Sequence, residues 1–264
     1  MSSSSHLTQS RFQFLVGAIG VLWVGGLFAE EPATVVPPAN LHLFLLIGQS
    51  NMVGRGPIEP EDRKTHPRVF LLDAELRWVP AADPLQFKAG VSLASTFARA
   101  VAEAKPAAVI GLVPCARGST QLDLWMPGTE LYKQAVSRTQ VALKKGRLAG
   151  ILWHQGEGDS ARQLESTYAA RFATMIARLR ADLSAPDAPV IVGELGTFWR
   201  ASTLMNQVLR EIPSLVPNSA CARSEGLTDK GDQIHFDAQS TREFGRRYAA
   251  VYFELEKQRP TGGR

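Results

Sequence analysis

The chain reads as an α/β protein, a three-layer α/β/α sandwich built on a five-stranded parallel sheet. Three observations predict this. Short, continuous apolar runs recur along the sequence and alternate with amphipathic helical stripes. Each run is apolar at consecutive positions, as expected of strands buried on both faces. The 264 residues are 45% hydrophobic and 20% charged, an ordinary globular balance, and a domain of this length buries a sizeable core without disulfides or metals.

The runs, in order, are LHLFLLIG (41–48), AAVIGLVPC (107–115), LAGILWHQG (148–156), APVIVGELG (188–196) and the weaker SACARSEGL (219–227). Between the third and fourth runs, Leu164, Tyr168, Phe172, Ile176, Leu179 and Leu183 fall on one helical stripe over 162–183. In the last helix Phe244, Tyr248, Val251, Tyr252 and Leu255 do the same, with Asp237 placed as its N-cap. Further helices are expected over about 91–105, 129–145 and 200–211. Strands alternating with helices imply right-handed βαβ crossovers. The segment 54–90 carries Pro and charge with weak periodicity and reads as loops plus a short strand near FLLD, 70–73.

The N-terminus is of another kind. Arg11 precedes FQFLVGAIGVLWVGGLFA (12–29), which has no charge, and Glu30, Glu31 and Pro32 follow. A short basic region, an apolar stretch and small residues at its end read as a secretory signal peptide cleaved after Ala29; the alternative is an uncleaved anchor, since the run nearly reaches the ~20 residues of a membrane span. The expected division is a signal peptide at 1–29, a Pro-rich lead-in at 30–40, the folded domain at 41–258 and a flexible tail at 259–264. Location outside the cytoplasm follows, secreted or periplasmic, without stable membrane association once the signal is removed. The formal charge is +4, from 29 Lys and Arg against 25 Asp and Glu. Loss of Arg11 with the signal leaves 28 − 25 = +3. No Lys/Arg block accompanies it, so nucleic acid is not an expected partner.

In open α/β sheets, ligands bind outside the carboxyl ends of the strands. Four such ends carry Gly and polar groups: GQSNM (48–52), VPCARGSTQLDLW (113–125), WHQGEGD (153–159) and, after the fifth run, DKGDQIHFD (229–237). A serine hydroxyl needs a base to take its proton, and the base needs an orienting partner. Ser50 is the candidate nucleophile, His235 the base, and Asp232, three residues before it, the orienter. The backbone N–H groups of Ser50 and Gly118 and the side-chain amide of Gln155 are candidate donors to a developing oxyanion. Glu157 either orients His235 from the third strand or, as favoured here, holds the Gln155 loop. Asn51, Arg117 and Trp125 are candidates for substrate contact or for supporting the site; Trp125 offers a face on which a sugar ring could stack. Trp153 reads as core and His154 as a supporting residue. His42, His66, His154 and His235 show no ligand spacing with Cys, Asp or Glu, so neither a metal nor another cofactor is expected. The Gly-x-Ser-x-Gly elbow is absent, because Met52 stands at the second Gly position.

GQSNM (48–52), VPCARGST (113–120), WHQGE (153–157) and DQIHF (232–236) together resemble the SGNH/GDSL hydrolase superfamily, and within it the carbohydrate esterase family 6 and sialate O-acetylesterase-like group. The resemblance spans residues 41 to about 250. It implies a flavodoxin-like fold with strand order 2-1-3-4-5 and metal-free deacetylation of O-acetylated sugars. It also implies Ser50 as nucleophile, His235 as base, Asp232 as orienter, and an oxyanion hole of Ser50, Gly118 and Gln155. Two positions depart from the pattern: Ser119 stands where a second glycine is common, and Gly158 where a serine is common. The implied order puts Cys115 and Cys221 at opposite edges of the sheet, four strand spacings or roughly 19 Å apart, beyond the ~7 Å reach of a disulfide. The expected activity is that of a monomeric serine esterase acting on acetylxylan-type or sialate-type O-acetyl groups through an acetyl-enzyme. A catalytically silent carbohydrate-binding protein and an O-acetyl transferase are the alternatives.

Overall fold

A computed structural model describes residues 39–258. The expected signal peptide, most of the lead-in and the tail lie outside the described residues. Among the described residues no helix is long and apolar enough to cross a membrane.

The apolar runs form strands β1 (Leu41–Gly48), β2 (Val69–Leu72), β3 (Trp78–Pro80), β4 (Ile110–Pro114), β5 (Gly146–His154), β6 (Val190–Gly193) and β7 (Ser219–Ala222). They make one seven-stranded sheet in the order β3-β2-β4-β1-β5-β6-β7. The five expected strands are the parallel block β4-β1-β5-β6-β7, in the predicted order. The sheet is two strands wider than expected. β2, near the FLLD segment, adds in parallel to β4, and β3 closes that edge antiparallel to β2. Three residues of β3 are too few to show a period in the sequence.

The helices are α1 (Ser50–Val53), α2 (Leu93–Ala104), α3 (Glu130–Leu143), α4 (Glu157–Ser160), α5 (Glu165–Asp182), α6 (Ser202–Leu215) and α7 (Ala238–Lys257). The expected long helices are all present, with α6 running on through Pro213. Asp237 caps α7, its carboxylate accepting the Ser240 N–H at 2.7 Å.

β1 shows why the layers form. Its side chains alternate between faces. Leu41, Leu43, Leu45 and Ile47 enter a core with Trp153, Phe172 of α5 and Leu209 of α6. Phe44 and Leu46 enter the opposite core with Phe97 of α2 and Phe244, Tyr248 and Tyr252 of α7. Phe44, Phe97 and Tyr252 meet edge to face with centroids 4.9–5.7 Å apart, the geometry that aromatic quadrupoles favour. The aperiodic segment after β1 is held by charge instead: Arg242 of α7 pairs with Asp62 at 2.7 Å, Glu59 at 2.7 Å and Glu61 at 2.9 Å. Cys115 follows β4 and Cys221 lies on β7, four strands away, and both are free thiols.

Asp83 is a buried carboxyl before α2. It accepts from the Ser95 hydroxyl at 2.7 Å and the Ser92 N–H at 3.3 Å, while Oδ2 has no partner. Burial outweighs these bonds and pushes its pKa up to about 7. The folded state thus binds this proton more tightly than the unfolded chain does. The stabilisation is complete below about pH 4 and is lost as pH rises through 7, on the order of 4 kcal/mol in all. Denaturant titrations at pH 5 and pH 8 should show Asp83→Asn losing less stability than the wild type over that interval. Equal losses would remove Asp83 as the origin of the slope.

Candidate active site

Gly48 ends β1 with φ 127°, where a Cβ would be driven into the His154 carbonyl of β5. The Gln49 N–H then donates to that carbonyl at 2.8 Å. The chain turns sharply into α1, and Ser50 is its first residue. The loop between β7 and α7 brings His235 over the same strand end. Ser50 Oγ stands 3.0 Å from His235 Nε2, and His235 Nδ1 stands 2.7 Å from Asp232 Oδ2. The second carboxylate oxygen, Oδ1, accepts the N–H of Ile234 at 3.0 Å and of His235 at 2.8 Å. Lys230 pairs with Oδ2 at 3.0 Å. Partial burial opposes ionisation of Asp232, but these donors, His235 foremost, hold its carboxyl well below the usual carboxylate range. An ionised Asp232 favours the tautomer with hydrogen on Nδ1, which leaves Nε2 free to accept the serine proton.

Gly118 lies directly beside Ser50: a Cβ placed on it would stand 3.7 Å from that of Ser50. Neither the Ser50 nor the Gly118 N–H is used by an acceptor among the described residues, so both remain available to an oxyanion. Ser119, at the first departure from the family pattern, has φ 60°. That left-handed backbone is the one glycine adopts at no steric cost, and serine keeps it here.

The third expected oxyanion donor is not available. Gln155 is fully buried, and its amide nitrogen faces Asp159 Oδ2 at 2.6 Å, Gln49 Oε1 at 3.1 Å and the Thr120 carbonyl at 3.1 Å. Two N–H hydrogens are spent on three internal acceptors, while the Gln155 carbonyl oxygen accepts from the Tyr168 hydroxyl at 2.9 Å. Gln155 ties strand ends together instead. Gly158, the second departure, belongs to this tie. Its N–H reaches Gln49 Oε1 at 3.2 Å, and a Cβ would stand 2.7 Å from the Thr120 carbonyl, too close for a serine in this arrangement.

Asn51 locks the histidine loop. Its Oδ1 accepts the Phe236 N–H at 3.2 Å and its Nδ2 donates to the Ile234 carbonyl at 3.1 Å, gripping the backbone on either side of His235. Nδ2 also donates to Glu157 at 2.6 Å. Burial works against the Glu157 charge, but His154, 3.6 Å away, and Asn51 draw its pKa below the ordinary value. Glu157 thus bonds Asn51 rather than the Gln155 loop, and among the described residues it makes no hydrogen bond to His235. Trp125 is a correction. It is 1% exposed, its indole N–H donates to Thr120 at 3.1 Å and its ring meets Trp153 edge to face, so it packs under the loop and cannot stack on a sugar. Arg117 is exposed at the rim of the cleft. Sequence reasoning missed Lys230, Arg55 and Gln49; Lys230 alone left a signal, a cation two residues before the expected orienter. Among the described residues no three His, Cys, Asp or Glu side chains gather as a metal site would require.

A serine, histidine and aspartate hydrogen-bonded in series at the carboxyl end of a parallel sheet are an arrangement that acyl-transfer enzymes of several α/β folds use. The comparisons give the family. The family model described as "Carbohydrate esterase, sialic acid-specific acetylesterase" matches residues 40–254, and the chain belongs to that family. A probable carbohydrate esterase of Arabidopsis thaliana is 31% identical over 84% of this chain and 94% of its own. Its crystal structure superposes with a TM-score of 0.76 at 30% identity, covering 82% of this chain and 99% of that one. A probable 9-O-acetyl-N-acetylneuraminic acid deacetylase of Escherichia coli is 23% identical over 63% of this chain and 70% of its own. The crystal structure of NanS, 20% identical, shares the fold with a TM-score of 0.70 over 85% of this chain and the whole of that one.

A structural Gln155 has a measurable consequence. Gln155→Leu leaves Asp159 and Gln49 short of a buried donor and should cost about 1–3 kcal/mol in urea unfolding. An oxyanion donor would instead lose about 10²–10³ in kcat at unchanged stability.

Proposed function

We propose that this protein is a serine esterase that removes O-acetyl groups from carbohydrates through an acetyl-enzyme. The observation that carries the reading is the hydrogen-bonded chain from Ser50 through His235 to Asp232, at 3.0 and 2.7 Å, beside two unspent backbone N–H groups. Ser50 Oγ attacks the acetyl carbonyl as His235 Nε2 takes its proton. Asp232 stabilises the imidazolium that results. The N–H groups of Ser50 and Gly118 receive the oxyanion of the tetrahedral intermediate. His235 then returns the proton to the departing sugar oxygen, leaving acetate esterified to Ser50. Water, deprotonated by the same Nε2, attacks this ester, and its collapse frees acetate and restores the serine. Family membership supports the ester and carbohydrate parts of the proposal, and residues 1–29 support export of the enzyme from the cytoplasm.

The test is acetate release from acetylated xylan and, in parallel, from an O-acetylated sialoside. Ser50→Ala should abolish it. Asp232→Asn retains the carbonyl that accepts the loop N–H groups but loses the charge that fixes the tautomer, and should lower kcat by about 10³–10⁴-fold with a small change in KM. Equal acetate release by wild type and Ser50→Ala would exclude Ser50 as the nucleophile.

A further inference from the structure

The N–H groups of Ser50 and Gly118 are neutral donors, and Gln155, the third expected, is taken up by internal acceptors. Bonds from a charged donor to an anion are roughly twice as strong as bonds between neutral groups. Arg55 is a cation on the turn that carries Ser50. It follows α1, the short helix that begins at Ser50, and stands between Gly54 and Gly56. Both glycines are pressed against other backbone. A Cβ on Gly54 would stand 2.4 Å from the Val91 carbonyl oxygen, and one on Gly56 would stand 2.8 Å from Ala238 Cα, at the start of α7. The Gly90 N–H donates to the Gly54 carbonyl at 3.0 Å and the Val91 N–H to the Gly56 carbonyl at 2.9 Å. The Arg55 backbone is thereby clamped on both sides, and only its side chain has room to choose a direction.

That direction is toward Ser50. A carbon placed as the Cβ of Gly118 would stand 3.0 Å from Arg55 Nη2 and 3.7 Å from Ser50 Cβ. Apart from the chain neighbours of Gly118, no other heavy atom of the described residues comes within 4 Å of that point. The space between the guanidinium and Ser50 is thus one atom wide, with Gly118 forming one side of it. The charge facing this space is uncompensated. Nη1 donates to the adjoining Gly54 carbonyl at 3.3 Å, and among the described residues no carboxylate pairs with the guanidinium. The nearest acids that follow in the chain, Glu59, Glu61 and Asp62, are all taken by Arg242 of α7. A half-buried cation kept apart from acids has lost part of its hydration without a counter-charge in return. Such a group is used well only where negative charge appears beside it during a reaction.

We propose that Arg55 is a catalytic residue: its Nη2 is a third, charged donor to the oxygen that becomes an oxyanion when Ser50 attacks the acetyl carbonyl. The inference rests on the esterase reading and takes for Arg55 the place that Gln155 does not fill. No proton is transferred. The Nη2–H bond to the carbonyl oxygen is weak in the ester, strong in the tetrahedral intermediate and weak again when the carbonyl re-forms in the acetyl-enzyme. Attack of water on the acetyl-enzyme repeats the sequence. A bond made chiefly to the intermediate acts on kcat and leaves KM little changed. A guanidinium that instead held a sugar hydroxyl or carboxylate would act on glycans and be indifferent to an acetyl ester without a sugar.

The probe is therefore 4-nitrophenyl acetate, hydrolysed by the full chain as wild type, Arg55→Gln, Lys88→Gln and Ser50→Ala, with urea unfolding of each variant in parallel. Arg55→Gln should lower kcat by about 10²–10³-fold, the loss expected when one oxyanion donor is removed, with KM little changed. Lys88 lines the same cleft as Arg55, but its ammonium lies over the Phe87 ring and not within 4 Å of the space beside Gly118. Lys88→Gln should keep the wild-type kcat. Wild-type kcat in Arg55→Gln overturns the assignment and leaves the esterase reading standing. Equal losses in Arg55→Gln and Lys88→Gln overturn it too, because a diffuse field and not a bond is then at work. Should Arg55→Gln fail to fold, Gly118→Ala takes its place: the added methyl, 3.0 Å from Nη2, fills the space and should lower kcat, and an unchanged kcat there overturns the assignment. Equal hydrolysis by wild type and Ser50→Ala overturns both readings.

Discussion

The contact on which the site depends is the close parallel pairing of β1 with β5. The two strands run side by side from Leu41 against Gly146 to Gly48 against His154. At the last pair the backbones approach so tightly that only glycine fits at 48. The polypeptide cannot continue the strand past this point and turns at once, and the turn delivers Ser50 at the top of the sheet. The neighbouring strand ends in the loop that carries Gln155, Glu157 and Asp159. Ser50 and its supporting network are thus set by one backbone register, which side-chain packing on both faces of β1 specifies.

Above that register the site is held by polar bonds together with the packing of Phe236 against His154, Phe198 and Phe244. Gln49, Gln155, Asp159 and Thr120 join the ends of three strand–loop units, and Asn51 joins a fourth, the loop that carries His235. Such a network is costly when incomplete and directional when satisfied. Among the described residues Glu157 Oε2, Asp159 Oδ1 and His154 Nε2 have no hydrogen-bond partner, so it is satisfied only in part. Phe236 anchors the histidine loop in the core, and two hydrogen bonds from the Asn51 amide grip its backbone on either side of the histidine.

The parallel core was legible because strands buried on both faces write themselves as unbroken apolar runs, and the order of the five principal strands followed from the family resemblance. The edge pair β2 and β3 was only half legible: four and three residues carry little pattern, and β3 owes its place to a turn at Asp73–Arg77 rather than to periodicity. In the site, Ser50, Asp232 and His235 were legible because their spacing is itself the chemistry. Gln155 and Trp125 were misjudged for one reason. Both residue types can serve a ligand or the interior, and which they do depends on whether the next loop covers them. Thr120 and Asp159 do so here. Arg55 lies in the aperiodic segment, where no sequence pattern indicates that its guanidinium reaches Gly118.

Asp232 divides its carboxylate between two tasks, one oxygen orienting the imidazole and the other shaping the turn that carries it. The fold of this loop and the orientation of its histidine therefore rest on a single side chain. Acid strong enough to neutralise Asp232 would remove the charge that holds the imidazole but leave an oxygen able to accept the loop N–H groups, so the two tasks separate on protonation. The same economy sets what a substitution at this position must keep if the loop is to hold its shape: a side chain that still accepts two backbone N–H groups.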